Sequence, residues 1–569
     1  MVQVYLEAPY HTGEIEKSYK ALVAYEKTIE LKPHDSEILD IEVQISDCLA
    51  YDCYDKNNDN HKGYELDRGE YKFHIGKNAH EDMVLTNNEK AIVSFNVPNT
   101  IRVNRDKYTN ALVMNLFTGD DAADGYPIDG VEDDYSPNYI SRANFPDVKA
   151  FNGTQPRAAS QAIQDVYFFD KAKGDAWDNS NYDIVGQRID DKEVKWGVNN
   201  GLKIAENGIV TDLGLKLGKN YDDPEWEPLL EQITISETIN IINKSYGTPE
   251  IPSVGKPMLY EVDGPAQIKC YYQQPPRGTG YPCAVVIAQT WNKELAEDFG
   301  LSFAIDMNSV SINGLWGWGC NLHRTPVGGR NWEYYSEDPY ISGKTLVASV
   351  RGLLKGGRYS YIKHFCMNES ETNKKEGFTF VTEQAYRECY LKPFQMAIQE
   401  GGAVGIMTSF NRIGAVYSGG SEASITGVVR MEWGFKGAII TDWADMGGSY
   451  MSIDQQLRAG GDLGMNVELN GYSGARFTYS ESSTNRLQRQ MKEAMHHVLY
   501  SWLRCQYLNK QYNDNPESTT KVIQKASIAS FNWWKMLLVD VDILLGGAAL
   551  IFVVMTFLPR VKKPEEGGN

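Results

Sequence analysis

The sequence has 569 residues, of which 42% are hydrophobic, and its formal net charge is −19 at pH 7. The hydrophobic fraction is too high for a disordered chain, and the length is enough for several domains. The acidic balance argues against a nucleic-acid partner, because contacts with phosphates need a basic surface.

The eight cysteines show neither a CxxC pair nor the Cys/His spacing of a zinc site, and most lie inside apolar runs that indicate buried thiols. Cys270 and Cys283 flank a loop rich in Pro and Gly, and their pairing stays open. Because the sequence shows no metal-binding or nucleotide-binding motif, we expect no cofactor.

Residues 1–95 carry strand patterns separated by polar turns. An alternating pattern opens the chain, and further strand-like runs follow at 21–31, 36–45 and 69–75. This spacing indicates an immunoglobulin-like sandwich, but only about four strands are visible where such a sandwich needs about seven. We therefore expect this domain to be incomplete.

Residues 96–222 are rich in Asp, Asn, Gly and aromatic residues and have weak periodicity, which predicts an irregular linker that wraps the next domain. Residues 223–510 begin with the amphipathic pattern Pro224–Tyr246 and then alternate strand and helix patterns. Two long helical patterns within Thr484–Asn509 close this region. Repeated β-then-α units predict a parallel sheet, here a (β/α)8-like (TIM-like) barrel.

Residues 511–533 are predicted to be a linker, residues 534–558 a transmembrane helix, and residues 559–569 a cytoplasmic tail with a basic start. The apolar run is about the length that a bilayer needs, with tryptophans at one end and basic residues at the other. A buried amphipathic helix is the alternative. The first reading predicts a single-pass cell-membrane protein that contacts the lipid bilayer and has an extracytoplasmic barrel.

Polar clusters follow several apolar stretches of the predicted barrel. They are Asp263-Gly-Pro, the run Gly328-Gly-Arg330-Asn-Trp-Glu333, Lys363-His364-Phe365, and Thr441-Asp442-Trp443. Barrel active sites lie at the carboxyl ends of the strands, so these side chains are predicted to meet. Each has a structural alternative: Asp442 as a loop cap, Arg330 paired with Glu333, and His364 as a core histidine.

The order of these motifs, from about Trp226 to Asn509, resembles glycoside hydrolase family 3, which includes β-glucosidases. Residues 1–95 likewise resemble the fibronectin III-like domain of many family members. In the common domain order the barrel comes first, so this chain resembles the permuted members, and this resemblance implies that the α/β sandwich is absent from it. The resemblance thus implies a multidomain fold: a partial immunoglobulin/fibronectin III-like sandwich, a TIM-like barrel, and the C-terminal transmembrane helix.

The resemblance implies retaining hydrolysis of terminal β-D-glucosyl residues, with a β-glucoside or oligosaccharide as substrate and Asp442 as the nucleophile. It places Asp263, Arg330, Lys363 and His364 around the non-reducing-end sugar, with Trp443 as a flat apolar surface for it. The positive charges of Lys363 and His364 are expected to keep Asp442 ionised.

The acid/base residue is the incomplete part of this interpretation. The loop after Phe365 lacks the Asp-Ser-His run of the glucosaminidase kind, and Glu369 and Glu371 are disfavoured as substitutes. The resemblance implies an acid/base glutamate on the α/β sandwich, which would be a separate partner here. The alternatives are a non-catalytic sugar-binding barrel and a specificity of the β-xylosidase type.

Overall fold

The structure is a computed structural model. It describes residues 1–130, 139–143, 159–190, 192–243, 247–269, 278–375, 377–444, 450–465, 477–480, 483–518, 520–522 and 545–546. Met1–Ala526 form one compact unit and Ser527–Asn569 a second. Cys270 lies outside the described residues, so its pairing with Cys283 stays open.

The amino-terminal region is a sandwich of two antiparallel sheets. One sheet has the order β2-β1-β5-β6, with β7 also paired to β5, and the other has the order β3-β4-β8. Val4, Leu6, Val23, Leu66 and Tyr71 are among the side chains buried in its core. The strands are β1 (Val2–Glu7), β2 (Ala21–Glu26), β3 (Ala50–Asp52), β4 (Gly63–Leu66), β5 (Gly69–Asn78), β6 (Glu81–Asp82), β7 (Ile92–Val97) and β8 (Ile101–Val103).

This strand set differs from the one that the sequence pattern predicts. The run 36–45 alternates apolar and polar residues but forms no strand, and Ile38 within it is almost fully exposed. Conversely, β3, β4 and β8 have only three or four residues each, too few to show an alternating pattern. The described sandwich therefore has more strands than the four that the pattern indicates.

The segment after the sandwich packs on the barrel. Leu116, Phe117 and Ile128 belong to the same hydrophobic core as the barrel strands. The carboxylate of Glu383, on a barrel helix, accepts hydrogen bonds from the backbone N–H groups of Leu116 and Phe117 at 3.2 and 3.0 Å. Its regular elements are α1 (Gln161–Tyr167), α2 (Lys171–Asn179), β9 (Ala205–Glu206), β10 (Ile209–Val210) and α3 (Asp212–Lys219).

Parallel strands and helices then alternate, with π-helical turns at Tyr386–Tyr390 and Ala423–Glu432. The elements are α4 (Trp226–Gln232), α5 (Ile235–Asn243), β11 (Glu261–Asp263), α6 (Ala284–Gln289), α7 (Lys293–Ser309), β12 (Gly314–Trp316), α8 (Pro339–Lys355), β13 (Tyr359–Ser360), β14 (Ile362–Phe365), β15 (Phe378–Thr379), α9 (Glu383–Ala385), α10 (Lys392–Gln399), β16 (Gly405–Thr408), β17 (Arg412–Ile413), β18 (Val416–Tyr417), β19 (Ala438–Trp443), α11 (Ile453–Arg458), β20 (Leu463–Met465) and α12 (Asn485–Asp514).

The parallel strands form two adjoining sheets, β11-β12-β13 and β14-β16-β19-β20. Only Tyr361 separates β13 from β14, so the two sheets follow one another in a single row. Within the described part of the chain this row has six strand positions, β11, β12, β13–β14, β16, β19 and β20, where the sequence pattern predicts eight. The two helical patterns predicted near the end form one continuous helix, α12.

Local sequence explains the elements that position the strand ends. At Ala438–Thr441, β19 is buried, as expected for a parallel strand covered on both faces. A Cβ at Gly437 would lie 2.2 Å from the carbonyl oxygen of Val404, so only glycine permits this close approach to β16. Asp338 caps α8: it accepts a hydrogen bond from the N–H of Ile341 at 2.8 Å, with Pro339 in the first turn of the helix.

The predicted transmembrane helix is corrected. Among the helices in the described residues, none is long and apolar enough to cross a membrane. All of 534–558 except residues 545 and 546 lies outside that part of the chain. The sequence supplies a physical reason for the correction, because Asp540 and Asp542 reduce the uninterrupted apolar run to 543–558, shorter than the roughly 20 residues that span a bilayer. The fold class is therefore a multidomain α/β fold, and the extracytoplasmic location stays a prediction.

Candidate active site

The carboxyl ends of three strands and one loop bring the predicted site residues together. Asp263 ends β11, Lys363 lies on β14, and Arg330 lies in the loop between β12 and α8. Lys363 Nζ is 2.8 Å from Asp263 Oδ1 and 3.3 Å from Glu333 Oε1. Although burial opposes both effects, this pairing lowers the pKa of Asp263, and the two carboxylates raise the pKa of Lys363. Both side chains are therefore charged at neutral pH.

Arg330 is held by Glu333 on the same loop. Its Nε donates to Glu333 Oε2 at 2.6 Å, and a terminal guanidinium nitrogen lies 2.6 Å from the same oxygen. The alternative in which Arg330 pairs with Glu333 is thus observed. Arg330 nevertheless remains close enough to Asp442 to act on that carboxyl and lower its pKa. Glu333 therefore connects Arg330 to Lys363, a bridging role that the motif did not reveal.

Asp442 ends β19 and is 9% exposed. Its Oδ1 accepts a hydrogen bond from the backbone N–H of Trp443 at 2.6 Å. Burial raises the pKa of Asp442 above its ordinary value, while this hydrogen bond and the charges of Arg330, Lys363 and Lys374 act in the opposite direction. The site therefore holds a desolvated carboxylate near several cations.

His364 faces Asp442 but does not carry the expected charge. Its Nε2 lies 3.7 Å from Asp442 Oδ2. Burial, followed by the charges of Arg330, Lys363 and Lys374, places the pKa of His364 well below its ordinary value, so the imidazole is neutral. The expectation that the charge of His364 keeps Asp442 ionised is therefore wrong. The motif Lys363-His364-Phe365 alone did not reveal that the charges of Arg330 and Lys374 also act on this ring.

Trp443, the predicted apolar surface for the sugar, has different surroundings from Trp318, which follows β12. Trp443 is partly buried and packs against a cluster that contains Phe410 and Tyr450. Trp318 is fully buried, donates from Nε1 to the carbonyl oxygen of Pro265 at 3.0 Å, and contacts phenylalanines of α7. Trp318 is thus a core residue, whereas Trp443 lies beside the nucleophile candidate.

Lys374 is a charged residue of the site that the sequence interpretation missed. It lies 5.0 Å from the centroid of the Phe410 ring and 2.6 Å from Glu371 Oε2. Its charge lowers the pKa values of both His364 and Asp442. The available signal was positional, since Lys374 lies in the loop after β14 and loops after barrel strands build active sites.

Glu369 and Glu371, the two glutamates considered as acid/base residues within this chain, both contact neighbouring residues. Glu369 Oε1 accepts hydrogen bonds from the N–H of Leu322 at 3.2 Å and from Asn321 Nδ2 at 3.4 Å, and burial raises the pKa of Glu369 to about 7. Glu371 forms an ion pair with Lys374 and packs against the position of Gly329. Both therefore tie the loop after β14 to its neighbours.

Two further features of the described residues bear on the site. They contain no group of three His, Cys, Asp or Glu side chains suited to hold a metal ion. A cleft of about 1080 Å³ lies between the sandwich and the barrel, and Lys17, Tyr54, Arg324 and Tyr390 are among its lining residues. Asp263, Arg330, Lys363, His364 and Asp442 do not line this cleft. The charged cluster at the strand ends is therefore a separate place in the molecule.

Comparisons with known proteins agree with the motif order. Residues 242–498 match the model of the glycosyl hydrolase family 3 N terminal domain. β-Glucosidase A of Butyrivibrio fibrisolvens is 26% identical over 82% of this chain and 51% of its own length. A β-glucosidase of Ruminococcus albus is 27% identical over 78% of this chain and 41% of its own length. The chain thus spans about half the length of the curated relatives that it matches.

A solved structure shows the same fold. The crystal structure of a β-glucosidase from Paenibacillus barengoltzii matches with a TM-score of 0.61 and 24% sequence identity, over 93% of this chain and 54% of that one. At this identity the likeness concerns the fold alone. The family-model match over residues 242–498 and the curated relatives therefore support a β-glucosidase-like protein whose barrel region is similar to glycoside hydrolase family 3.

Proposed function

We propose that this chain acts on β-glucosides, releasing terminal non-reducing β-D-glucosyl residues by a retaining double displacement with Asp442 as the nucleophile. The observation that carries the proposal is the position of Asp442, a desolvated carboxylate at a strand end within the influence of three cations. The β-glucosidase names of the relatives support the substrate class.

The proposed reaction has two steps. In the first, a carboxylate oxygen of Asp442 bonds to the anomeric carbon, the glycosidic C–O bond breaks, and the leaving oxygen takes a proton from a general acid. In the second, water attacks the same carbon, the ester bond to Asp442 breaks, and the general base takes the proton of water. Configuration at the anomeric carbon is retained because it inverts twice.

The surrounding side chains match a sugar with several hydroxyl groups. Asp263 accepts hydrogen bonds from hydroxyls, whereas Lys363 and Arg330 donate to them. Because Asp263 and Lys363 are already paired, and Glu333 holds both cations, the polar groups are preorganised before the sugar arrives. The partly buried ring of Trp443 supplies the apolar surface next to Asp442.

The acid/base is proposed to come from outside this cluster. Glu369 and Glu371 each hold loop contacts, with Asn321 and Leu322 in one case and with Lys374 in the other. An α/β-sandwich domain therefore stays a proposed partner of the barrel.

The test is covalent trapping of the intermediate. Incubation with a 2-deoxy-2-fluoro-glucoside that carries a good leaving group is expected to add one fluoroglucosyl unit to the wild-type chain, seen by intact mass. Asp442→Ala is expected to abolish this mass increase, whereas Asp298→Ala, at an exposed position of α7, is expected to keep it. Labelling of Asp442→Ala at the wild-type rate would exclude the assignment.

The same experiment separates the alternatives. A non-catalytic sugar-binding barrel binds glucose without any mass increase. A specificity of the β-xylosidase type is indicated if the matching fluoro-xyloside labels the chain faster than the fluoro-glucoside.

A further inference from the structure

The ring of His364 is held by a buried tyrosine that no motif singles out. Tyr334 Oη lies 3.2 Å from His364 Nδ1, and Asn368 Nδ2 donates to the same hydroxyl at 3.2 Å. Tyr334 is 1% exposed, and its hydroxyl is also 3.4 Å from the carbonyl oxygen of Asn368. One hydroxyl thus connects the imidazole to the loop after β14.

The backbone of His364 is fixed as well. Asn321 Oδ1 accepts a hydrogen bond from the His364 N–H at 2.8 Å, and Asn321 Nδ2 donates to the His364 carbonyl oxygen at 3.0 Å. Because one side chain engages both sides of the residue, the ring has a defined position. Its free nitrogen, Nε2, consequently points at Asp442 Oδ2, 3.7 Å away.

A neutral imidazole has one N–H donor and one acceptor nitrogen, so its tautomer decides what Nε2 offers to Asp442. The low pKa of His364, caused by burial and by the charges of Arg330, Lys363 and Lys374, supports the neutral form. With the proton on Nε2, the ring directs a donor toward the carboxylate or toward a sugar hydroxyl between them. With the proton on Nδ1, a lone pair would face the carboxylate instead.

The hydrogen bonds of Tyr334 favour the first tautomer. The hydroxyl has one proton to donate, and it already accepts from the Asn368 amide. Its own proton has two acceptors within reach, His364 Nδ1 at 3.2 Å and the carbonyl oxygen of Asn368 at 3.4 Å. Donated to Nδ1, the closer of the two, it leaves the ring proton on Nε2. The opposite amide orientation would turn Asn368 Oδ1 toward the hydroxyl, draw its proton away from the ring, and place a lone pair of Nε2 against Asp442.

We propose that Tyr334, oriented by Asn368, sets His364 as the tautomer that carries its proton on Nε2 and directs this N–H at Asp442. Tyr334 and Asn368 are positioning residues, because they reach Asp442 only through His364. The tautomer itself follows from these contacts, whereas its consequence for catalysis rests on the proposed function. That consequence is a fixed donor beside the nucleophile that adds no positive charge to the site.

The test is nitrogen NMR of the full chain labelled with ¹⁵N-histidine. The His364 signals are assigned by their loss in His364→Gln. One-bond and long-range ¹H–¹⁵N correlations then show which ring nitrogen carries the proton. In the wild-type chain near neutral pH, we expect a protonated Nε2 and an unprotonated Nδ1. A proton on Nδ1 of the wild-type ring would overturn the proposal.

Two variants test the cause. Asn368→Asp replaces the amide donor by an acceptor, so the hydroxyl of Tyr334 turns its proton to the new carboxylate, and a proton is expected on His364 Nδ1. Tyr335→Phe is the matched control, since Tyr335 is equally buried but bonds to Ser349 at 3.2 Å, and it should leave the His364 signals unchanged. An unprotonated Nδ1 in Asn368→Asp would overturn the role of this pair.

Kinetics test the consequence. Tyr334→Phe keeps the ring volume but removes the hydroxyl, and we expect the rate of labelling by the fluoro-glucoside to fall about 3- to 10-fold, the effect of one neutral hydrogen bond. Tyr335→Phe should label at the wild-type rate. If no variant or wild-type chain is labelled, the proposed function fails, but the NMR result still decides the tautomer. An altered His364 Nδ1 signal with an unchanged labelling rate in Tyr334→Phe would overturn the catalytic consequence alone.

Discussion

His364 Nε2 lies 3.7 Å from Asp442 Oδ2, yet the two residues do not form an ion pair of opposite charges. Burial and the surrounding cations keep the imidazole neutral. The positive charges that favour the anion of Asp442 therefore come from Arg330, Lys363 and Lys374. Because a raised pKa lowers the ionised fraction of Asp442, the proposed nucleophile, in acid, these cations are expected to set the pH below which the site loses activity.

Removing the cation of Lys374 should shift the acid limb of activity. Its charge lowers the pKa of Asp442, so Lys374→Met raises that pKa, and the ionised nucleophile is lost at a higher pH than in the wild type. We expect the acid limb of kcat/KM for an aryl glucoside to move toward neutral pH. The measurement is the labelling or turnover rate as a function of pH.

The neighbouring Lys375 gives the control. It is exposed and lies in the same loop, so Lys375→Met should keep the wild-type limb. Equal shifts of the acid limb in both variants, or no shift in Lys374→Met, would contradict the hypothesis that this limb reports the ionisation of Asp442 and its dependence on Lys374.

Truncating either paired cation should weaken sugar binding. Arg330→Ala and Lys363→Ala each remove a charged donor, and we expect the binding free energy of glucose or a glucose-like inhibitor to weaken by about 1.5–3 kcal/mol, the range for a charge-assisted hydrogen bond. Calorimetry measures the affinity. Arg351→Ala on α8 removes an exposed arginine that bonds to the Glu400 carbonyl oxygen and should leave the affinity unchanged. Unchanged affinity in both site variants would give Arg330 and Lys363 a structural role only.

The strand-end argument predicted which residues meet because it depends on a simple geometric fact. Parallel strands end at the same edge of a sheet, so Asp263, Lys363, His364 and Asp442 lie together once their strands are placed. Lys374 was missed because it lies in a loop, where no periodicity of the sequence specifies the path of the chain. The same limit explains the sandwich, whose shortest strands have too few residues to alternate visibly.

The prediction that His364 is positively charged was wrong for a different reason. The ordinary pKa of histidine lies near neutrality, so burial and neighbouring charges decide its state. Neither is visible in the motif Lys363-His364-Phe365, because Arg330 and Lys374 come from loops distant in sequence. A pattern of residue types thus predicts the members of a site better than it predicts their protonation.

Breaking the contact between the linker segment and the barrel should destabilise the whole unit. The buried carboxylate of Glu383 accepts from the backbone of Leu116 and Phe117, from the hydroxyl of Tyr51 at 3.2 Å, and from Arg387 Nε at 2.9 Å. Glu383→Ala leaves these donors without that acceptor, and we expect the free energy of unfolding to fall by about 3–5 kcal/mol. Chemical denaturation measures it.

The surface pair Lys510–Asp514 on α12 is the comparison. Both side chains are more than half exposed, and Lys510→Ala should leave the free energy of unfolding nearly unchanged. A loss in Glu383→Ala as small as that would mean that the linker segment does not stabilise the barrel through this carboxylate.

The last prediction concerns the general acid. The described site holds the proposed nucleophile and the proposed sugar contacts, while Glu369 and Glu371 are engaged in loop contacts. General acid catalysis contributes about 10²- to 10⁴-fold, and its loss is most severe for poor leaving groups. We therefore expect the 569-residue chain alone to be nearly inactive on cellobiose but to react slowly with dinitrophenyl glucoside, whose leaving group needs little protonation.

External azide distinguishes this explanation from a general loss of activity. Breakdown of the glycosyl ester also needs a base, but azide is already an anion and needs none, so it should speed turnover and yield β-glucosyl azide. Asp442→Ala should form no such β-product from the β-glucoside, because the covalent intermediate is missing. An ordinary rate on cellobiose, with a bell-shaped pH profile and no azide effect, would place the acid/base within this chain. Glu369→Gln and Glu371→Gln would then show which carboxyl supplies the proton, since the responsible variant alone should regain turnover with azide.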